Sequence, residues 1–197
     1  MENLTEKRLL SIRQMTMIGM LSAISIFLGL TGLGFIAIPP VRATIMHIPV
    51  IIGAIVEGPI VGSFVGLVFG LFSMYQNFTA PTPTSFMFWN PIIALVPRVL
   101  IGLVAYYAYT FLKNKIKNKS ISIAIAALCA TLVNTVGVLS LTYLFYLERY
   151  SAAIGISSST AGKAIALLGV TNGIPEAIIS AVISVPVILS IFKIKKS

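Results

Sequence analysis

Five polar side chains interrupt long apolar runs and could do chemistry there: His47, Arg98, Asn134, Asn172 and Glu176. A charge placed in hydrocarbon costs about 2.5–3.5 kcal/mol on insertion scales, so such groups face a cavity or a partner. Arg98 lies eight residues past Asn90, which is about 12 Å into its helix at 1.5 Å per residue. Glu176 lies at a similar depth in the last apolar run, and Asn172, four residues earlier, shares its helix face. Asn134 sits mid-run with Thr131 and Thr135 nearby. Two readings stay open. Arg98 and Glu176 neutralise each other as an ion pair between helices, or Arg98, with Asn134 and Asn172, presents donors to a polar or anionic ligand. Both hold if the pair borders a pocket. His47 reads as a satisfied interior histidine before it reads as a ligand contact. Trp89 and Asn90, closing a loop, complete the candidate substrate-binding set, with Trp89 alternatively an interfacial anchor.

The chemistry of enzymes is otherwise missing. The chain has no aspartate, one histidine and one cysteine, Cys129, which excludes aspartate-held metals and a zinc site built from several Cys and His ligands. Gly162-Lys163-Ala164 lacks the hydroxyl and the glycine spacing of a phosphate loop, so ATP is not hydrolysed by that route. No Gly-x-Ser-x-Gly elbow accompanies His47. The sequence calls for no catalytic residue, no metal and no cofactor.

The elements that hold these side chains are membrane helices. Of 197 residues, 57% are apolar and 10% charged, with a mean hydropathy of +1.00; a soluble domain carries roughly 25% charged residues. About 20 apolar residues cross a bilayer, and such runs fall at 12–31, 36–56, 59–78, 90–112, 121–147 and 164–192. The expected fold is one all-α membrane domain of six transmembrane helices over residues 1–197, with the second span tilted or broken at Pro49. The first run, although it follows basic residues, is long and reads as a retained helix rather than a signal peptide.

Charge sets the orientation. The net charge is +9, and ten of the basic residues form three clusters: Lys7, Arg8 and Arg13; Lys113, Lys115, Lys117 and Lys119; Lys193, Lys195 and Lys196. Basic residues stay on the cytoplasmic side, and both chain ends inside satisfies all three clusters at once. A nucleic-acid footprint would need a basic face with stacking aromatics, which is absent. Inside then lie the tight Glu57-Gly58-Pro59 turn and the lysine run. Outside lie longer connections at 32–42, 76–90 and about 148–163, which together suit a small-molecule site facing outward. In helix one, Gly19 and Ala23 make a small-x-x-x-small pair that lets another helix approach. Gly62, Gly66 and Gly70 form a longer ridge suited to packing within the bundle.

This pattern resembles the substrate-binding S components of energy-coupling factor (ECF) vitamin transporters. The stretches 44–55 (Thr44 to Ile55), Pro81-Thr82-Pro83-Thr84-Ser85-Phe86 and Val96-Pro97-Arg98-Val99-Leu100-Ile101-Gly102 are similar to one branch of that family. The resemblance spans essentially the whole chain. It implies high-affinity capture of a vitamin at the outer face, under the loops joining helices one–two, three–four and five–six. It also implies partnership with a transmembrane coupling subunit and two ATPase subunits, and toppling in the lipid bilayer to release the ligand inside. The family's Ala-x-x-x-Ala contact with the coupling subunit maps onto Gly19 and Ala23; Gly19 departs from alanine but keeps the position small. Similar branches take pantothenate, vitamin B6 (pyridoxine or pyridoxamine) or hydroxymethylpyrimidine-like compounds. A carboxylate would give Arg98 a partner, which puts pantothenate first. The rival class is a stand-alone oligomeric secondary transporter or channel subunit, whose usual inverted repeat is not evident between residues 1–98 and 99–197.

Overall fold

The computed structural model describes residues 10–38 and 41–195. Lys7, Arg8 and Lys196 of the basic clusters lie outside the described residues. The chain forms α1 (Ile12–Thr31), β1 (Phe35–Ile38), β2 (Val41–Thr44), α2 (Ile48–Glu57), α3 (Pro59–Thr79), α4 (Pro91–Lys115), α5 (Lys119–Ile154) and α6 (Ser158–Ile194), with a 3-10 turn at Ser85–Trp89. All the long helices, α1, α3, α4, α5 and α6, are long and apolar enough to cross a bilayer.

Local signals fix the helix ends. Ser11 and Gln14 make a reciprocal capping box at the start of α1, and Gly32 ends it in the left-handed region at φ 72°. Asn90 caps α4 by accepting from the Ile92 N–H at 3.0 Å, with Pro91 in the first turn. Asn118 caps α5 by accepting from the Ser120 N–H at 2.9 Å.

The second apolar run, 36–56, is not one helix. Its first part pairs as an antiparallel hairpin in the register Phe35↔Thr44 and Ile36↔Ala43. Helix formation resumes only at Ile48, where Pro49 occupies the first turn and its missing N–H removes no helical bond. The ten residues of α2 rise about 15 Å, half of the roughly 30 Å of hydrocarbon. Ile48 through Val56 are all buried, because α1, α3, α4 and α6 surround the helix. That is why α2 is apolar on every face. The hairpin's polar backbone can sit in this protein because it is paired with itself and packed against α6.

The third long connection is also shorter than the sequence suggests. The helix α5 continues to Ile154, stops at Gly155 (φ 71°), and α6 begins at Ser158. Each of these helices is about 55 Å long at 1.5 Å per residue, so their polar ends extend past the hydrocarbon. A break at Tyr146 (φ −138°, ψ 20°) bends α5, and the Tyr146 ring meets Phe86 edge-on at 5.5 Å.

The glycine ridge is the seam between α3 and α4. A Cβ at Gly62 would lie 2.5 Å from the Ala54 Cβ and 3.0 Å from the Gly102 Cα, one at Gly70 would lie 2.6 Å from the Ala94 carbonyl oxygen, and one at Gly66 would strike the Arg98 carbonyl. Backbone therefore packs on backbone next to Arg98. At the opposite end of the bundle, Glu57 joins three helix ends: Arg13 Nη2 approaches it at 2.9 Å and Lys195 Nζ at 3.1 Å. The first and last described segments thus meet at one end, where Tyr109 of α4 also packs on Phe192 of α6.

Candidate functional site

The guanidinium of Arg98 is positioned by its predecessor. Pro97 has no N–H to give the carbonyl of Ile93 four residues earlier, and Arg98 Nη1 donates to that carbonyl at 2.7 Å instead. The cation is also held between two rings, 4.9 Å from the Phe88 centroid and 5.8 Å from that of Phe69. The residue is 6% exposed and its Nε has no protein partner. In α6 a proline again precedes the charged residue, Pro175 before Glu176, but a carboxylate accepts and does not donate to the carbonyl that the proline leaves free.

Glu176 does not pair with Arg98. Among the described residues the ion pairs are those of Glu57, with no N–O contact within 4.0 Å between Arg98 and Glu176. Glu176 Oε1 instead accepts from the backbone N–H of Thr44 at 2.8 Å and from the Thr44 hydroxyl at 3.0 Å. The carboxylate thereby fastens β2 to α6.

Arg98 borders a cavity of two lobes, and Glu176 lines the smaller of them. One lobe, about 230 Å³, is lined by Asn134, Thr135, Leu168, Asn172 and Glu176. The other, about 410 Å³, is lined by Phe35, Phe69, Ser73, Gln76 and Asn77. Thr44, Phe88, Arg98 and Asn134 border both. Arg98 Nε, Asn134 Oδ1 and Asn172 Oδ1 are buried with no hydrogen-bond partner in the protein. A polar atom left so costs about 1–3 kcal/mol, and the three residues border the same lobe, which suits that lobe to a polar molecule. A larger groove of about 600 Å³ between α5 and α6 shares Thr135 and Leu139 with the smaller lobe. Its lining is mostly apolar, with Thr135, Ser140 and Tyr143 the hydroxyl-bearing side chains and no charged group, as suits lipid contact.

Arg98, Asn134, Asn172 and Glu176 therefore converge, from α4, α5 and α6. The remaining candidates stand elsewhere. His47 is fully buried and outside both lobes; its Nε2 lies 3.0 Å from the Thr131 hydroxyl. That hydroxyl donates to the Ala127 carbonyl, so Nε2–H is the donor to Thr131 and Nδ1 is left buried without a partner. Trp89 is 40% exposed, stacks on Phe78 and donates to the Asn77 carbonyl at 3.2 Å. Asn90 serves as the α4 cap. Neither lines the cavity. Gly19 and Ala23 are exposed on α1, and a Cβ at Gly19 would meet nothing within 4 Å.

The structure adds cavity residues that the apolar-run reading passes over: Thr44, Phe69, Ser73, Gln76, Asn77 and Phe88. Asn77 organises the segment above them, donating to the Ser73 carbonyl at 2.8 Å and accepting from the Ser85 hydroxyl at 2.6 Å. For Ser73, Gln76 and Asn77 the signal in the sequence is the cluster of polar residues in the last two turns of α3.

A helical membrane bundle with a pocket bordered by Thr44 of the hairpin, Phe88 of the 3-10 turn and the polar side chains of α4, α5 and α6 suits a substrate-capturing membrane subunit. The family profile "ECF transporter, substrate-specific component" matches residues 13–188, and the chain belongs to that family. It is 33% identical over 172 residues to the pantothenic acid transporter PanT of Lactococcus lactis subsp. cremoris, covering 80% of this chain and 82% of that protein. It is also 33% identical over 133 residues to the pantothenate transporter PanT of Leuconostoc mesenteroides subsp. mesenteroides, covering 66% of this chain and 65% of the relative. The chain is a multi-pass protein of the cell membrane with a role in transport.

Proposed function

We propose that this chain captures pantothenate at the extracellular face and delivers it inward through an ECF module of one transmembrane coupling subunit and two ATPase subunits. The observation that carries this reading is the buried, ring-held Arg98, with an unpartnered Nε, bordering a pocket that Asn134, Asn172 and Glu176 also line. A guanidinium so placed suits a carboxylate, and two relatives bear pantothenate in their names. Arg98, Asn134, Asn172 and Glu176 bind the vitamin. His47 supports the floor through Thr131, and Trp89 and Asn90 hold the 81–90 segment in place over the cavity.

The chain crosses the membrane six times, with the hairpin and α2 together making the second crossing and both ends in the cytoplasm. The basic residues at the Glu57 end support this orientation. The exposed Gly19–Ala23 face of α1 receives the coupling subunit, because small residues let helices approach closely and separate again.

Isothermal titration of the purified chain with pantothenate and with pyridoxine tests the ligand, and uptake into liposomes tests the coupling. Tight pantothenate binding without uptake by the lone chain is expected, with uptake appearing when the ECF module and ATP are supplied. Ion-driven uptake by the lone chain would establish a stand-alone transporter instead.

A further inference from the structure

The smaller lobe has a built-in polarity. Both Thr44 bonds fall on Glu176 Oε1, which leaves Oε2 without a hydrogen-bond partner among the described residues, in a side chain that lines that lobe. Asn172, one turn earlier on the same face of α6, lines it too. Across the lobe stands Arg98, whose Nη1 is committed to the Ile93 carbonyl. An unpaired carboxylate on one wall accepts from hydroxyls and repels anions; a guanidinium on the other wall accepts anions.

Resting on the pantothenate reading, we propose that Glu176 and Asn172 form a hydroxyl-reading pole, which fixes the vitamin with its diol end in the α6 lobe and its carboxylate at Arg98. Pantothenate carries a carboxylate at one end, an amide in the middle and two hydroxyls at the other end. The reverse pose would set the vitamin's carboxylate against Glu176 and leave Arg98 facing neutral hydroxyls. The same pole makes the protein a selector. A phosphate ester on the terminal hydroxyl would bring a second anion against Glu176, so the phosphorylated form of the vitamin is excluded from the site.

The test is a set of equilibrium titrations on the purified full chain. The probes are pantothenate, panthenol (a primary alcohol in place of the carboxylate), an analogue with methyl in place of the terminal CH₂OH, and the terminal phosphate ester. With the unaltered chain, the deoxygenated analogue binds at least tenfold more weakly than pantothenate, and the phosphate ester at least a hundredfold more weakly. Glu176→Gln lowers the phosphate-ester penalty at least tenfold and leaves the panthenol-to-pantothenate ratio within twofold. Arg98→Gln collapses the panthenol ratio and leaves the deoxygenated-analogue penalty in place. Asn172→Ala, which removes no bond the fold depends on, lowers the deoxygenated-analogue penalty and serves if Glu176→Gln does not fold. Overturning results are a panthenol ratio that follows Glu176 rather than Arg98, or Glu176 and Asn172 variants that leave every ratio unchanged. Absence of pantothenate binding by the unaltered chain would overturn the vitamin assignment itself, a different outcome from an inverted pole.

Discussion

Replacing Gly66 with alanine adds one methyl group at the point where α3 lies on the backbone of Arg98. The new Cβ would strike the Arg98 carbonyl oxygen and lie 2.9 Å from its carbonyl carbon and 3.3 Å from Val50 Cγ1. Unstrained carbon contacts lie at about 3.5–4.0 Å, so the seam has to open, and the obstacle is backbone rather than a flexible side chain. Overpacking of this kind costs about 1–3 kcal/mol, and each kcal/mol is worth about 2–4 °C of Tm in a chain of this size. A fall in Tm of about 2–12 °C is expected by thermal scanning in detergent. Opening the seam carries Arg98 with it, so pantothenate affinity falls at least tenfold. Gly19→Ala is the matched control, since the same methyl group there meets nothing within 4 Å. Gly→Ala in an exposed helix interior gains about 0.5–1 kcal/mol, so the control keeps its affinity and gains slightly in Tm. Equal Tm and equal affinity for Gly66→Ala and the unaltered chain would refute the reasoning from close approach.

Further outcomes follow from other contacts. Gly19→Trp or Ala23→Trp abolishes module-dependent uptake while pantothenate affinity stays within twofold; parallel loss of both would remove the docking role. Pro97→Ala restores an N–H for the Ile93 carbonyl and releases Arg98 Nη1 from it, so affinity falls several-fold while circular dichroism shows helix content intact. Glu57→Gln loosens the junction of α1, α2 and α6, but Arg13 and Lys195 are 58% and 33% exposed in their side chains. Solvent screening therefore limits the cost to about 0.2–1 kcal/mol per pair, read as a lower Tm with ligand affinity unchanged. In a Cys129→Ser background, Lys117→Cys is labelled by an impermeant maleimide only from the cytoplasmic side; labelling from outside would invert the topology.

The long helices were legible because a continuous apolar run has one physical solution in lipid, a helix with its backbone bonded internally. The run at 36–56 escaped that logic. Hydropathy does not distinguish a lipid-facing helix from a segment wrapped in protein, and Phe35–Ile38 and Val41–Thr44 are held extended by pairing with each other and by Glu176. Loop 148–163 escaped it for the opposite reason, since polar residues continue a helix readily once it has left the hydrocarbon. The convergence of Arg98, Asn134, Asn172 and Glu176 on one cavity was readable, because isolated polar groups in apolar helices need company. Their separation was not: the alternative of a direct Arg98–Glu176 pair gave way because Thr44, on a hairpin invisible to hydropathy, takes the carboxylate. Thr44, Asn77 and Phe88 come from strand and helix ends and from a 3-10 turn, whose geometry no periodicity announces. Trp89 and Asn90 were legible as residues of that segment, and the structure gives them contacts within it rather than on the cavity wall.

The most direct measurement is mass spectrometry of the small molecule that stays with the purified chain after overexpression and extraction. Pantothenate, at close to one equivalent per chain and lost in Arg98→Gln, is the predicted result. Pyridoxine, a pyrimidine or another cationic or neutral compound in its place, retained equally by Arg98→Gln, would contradict it.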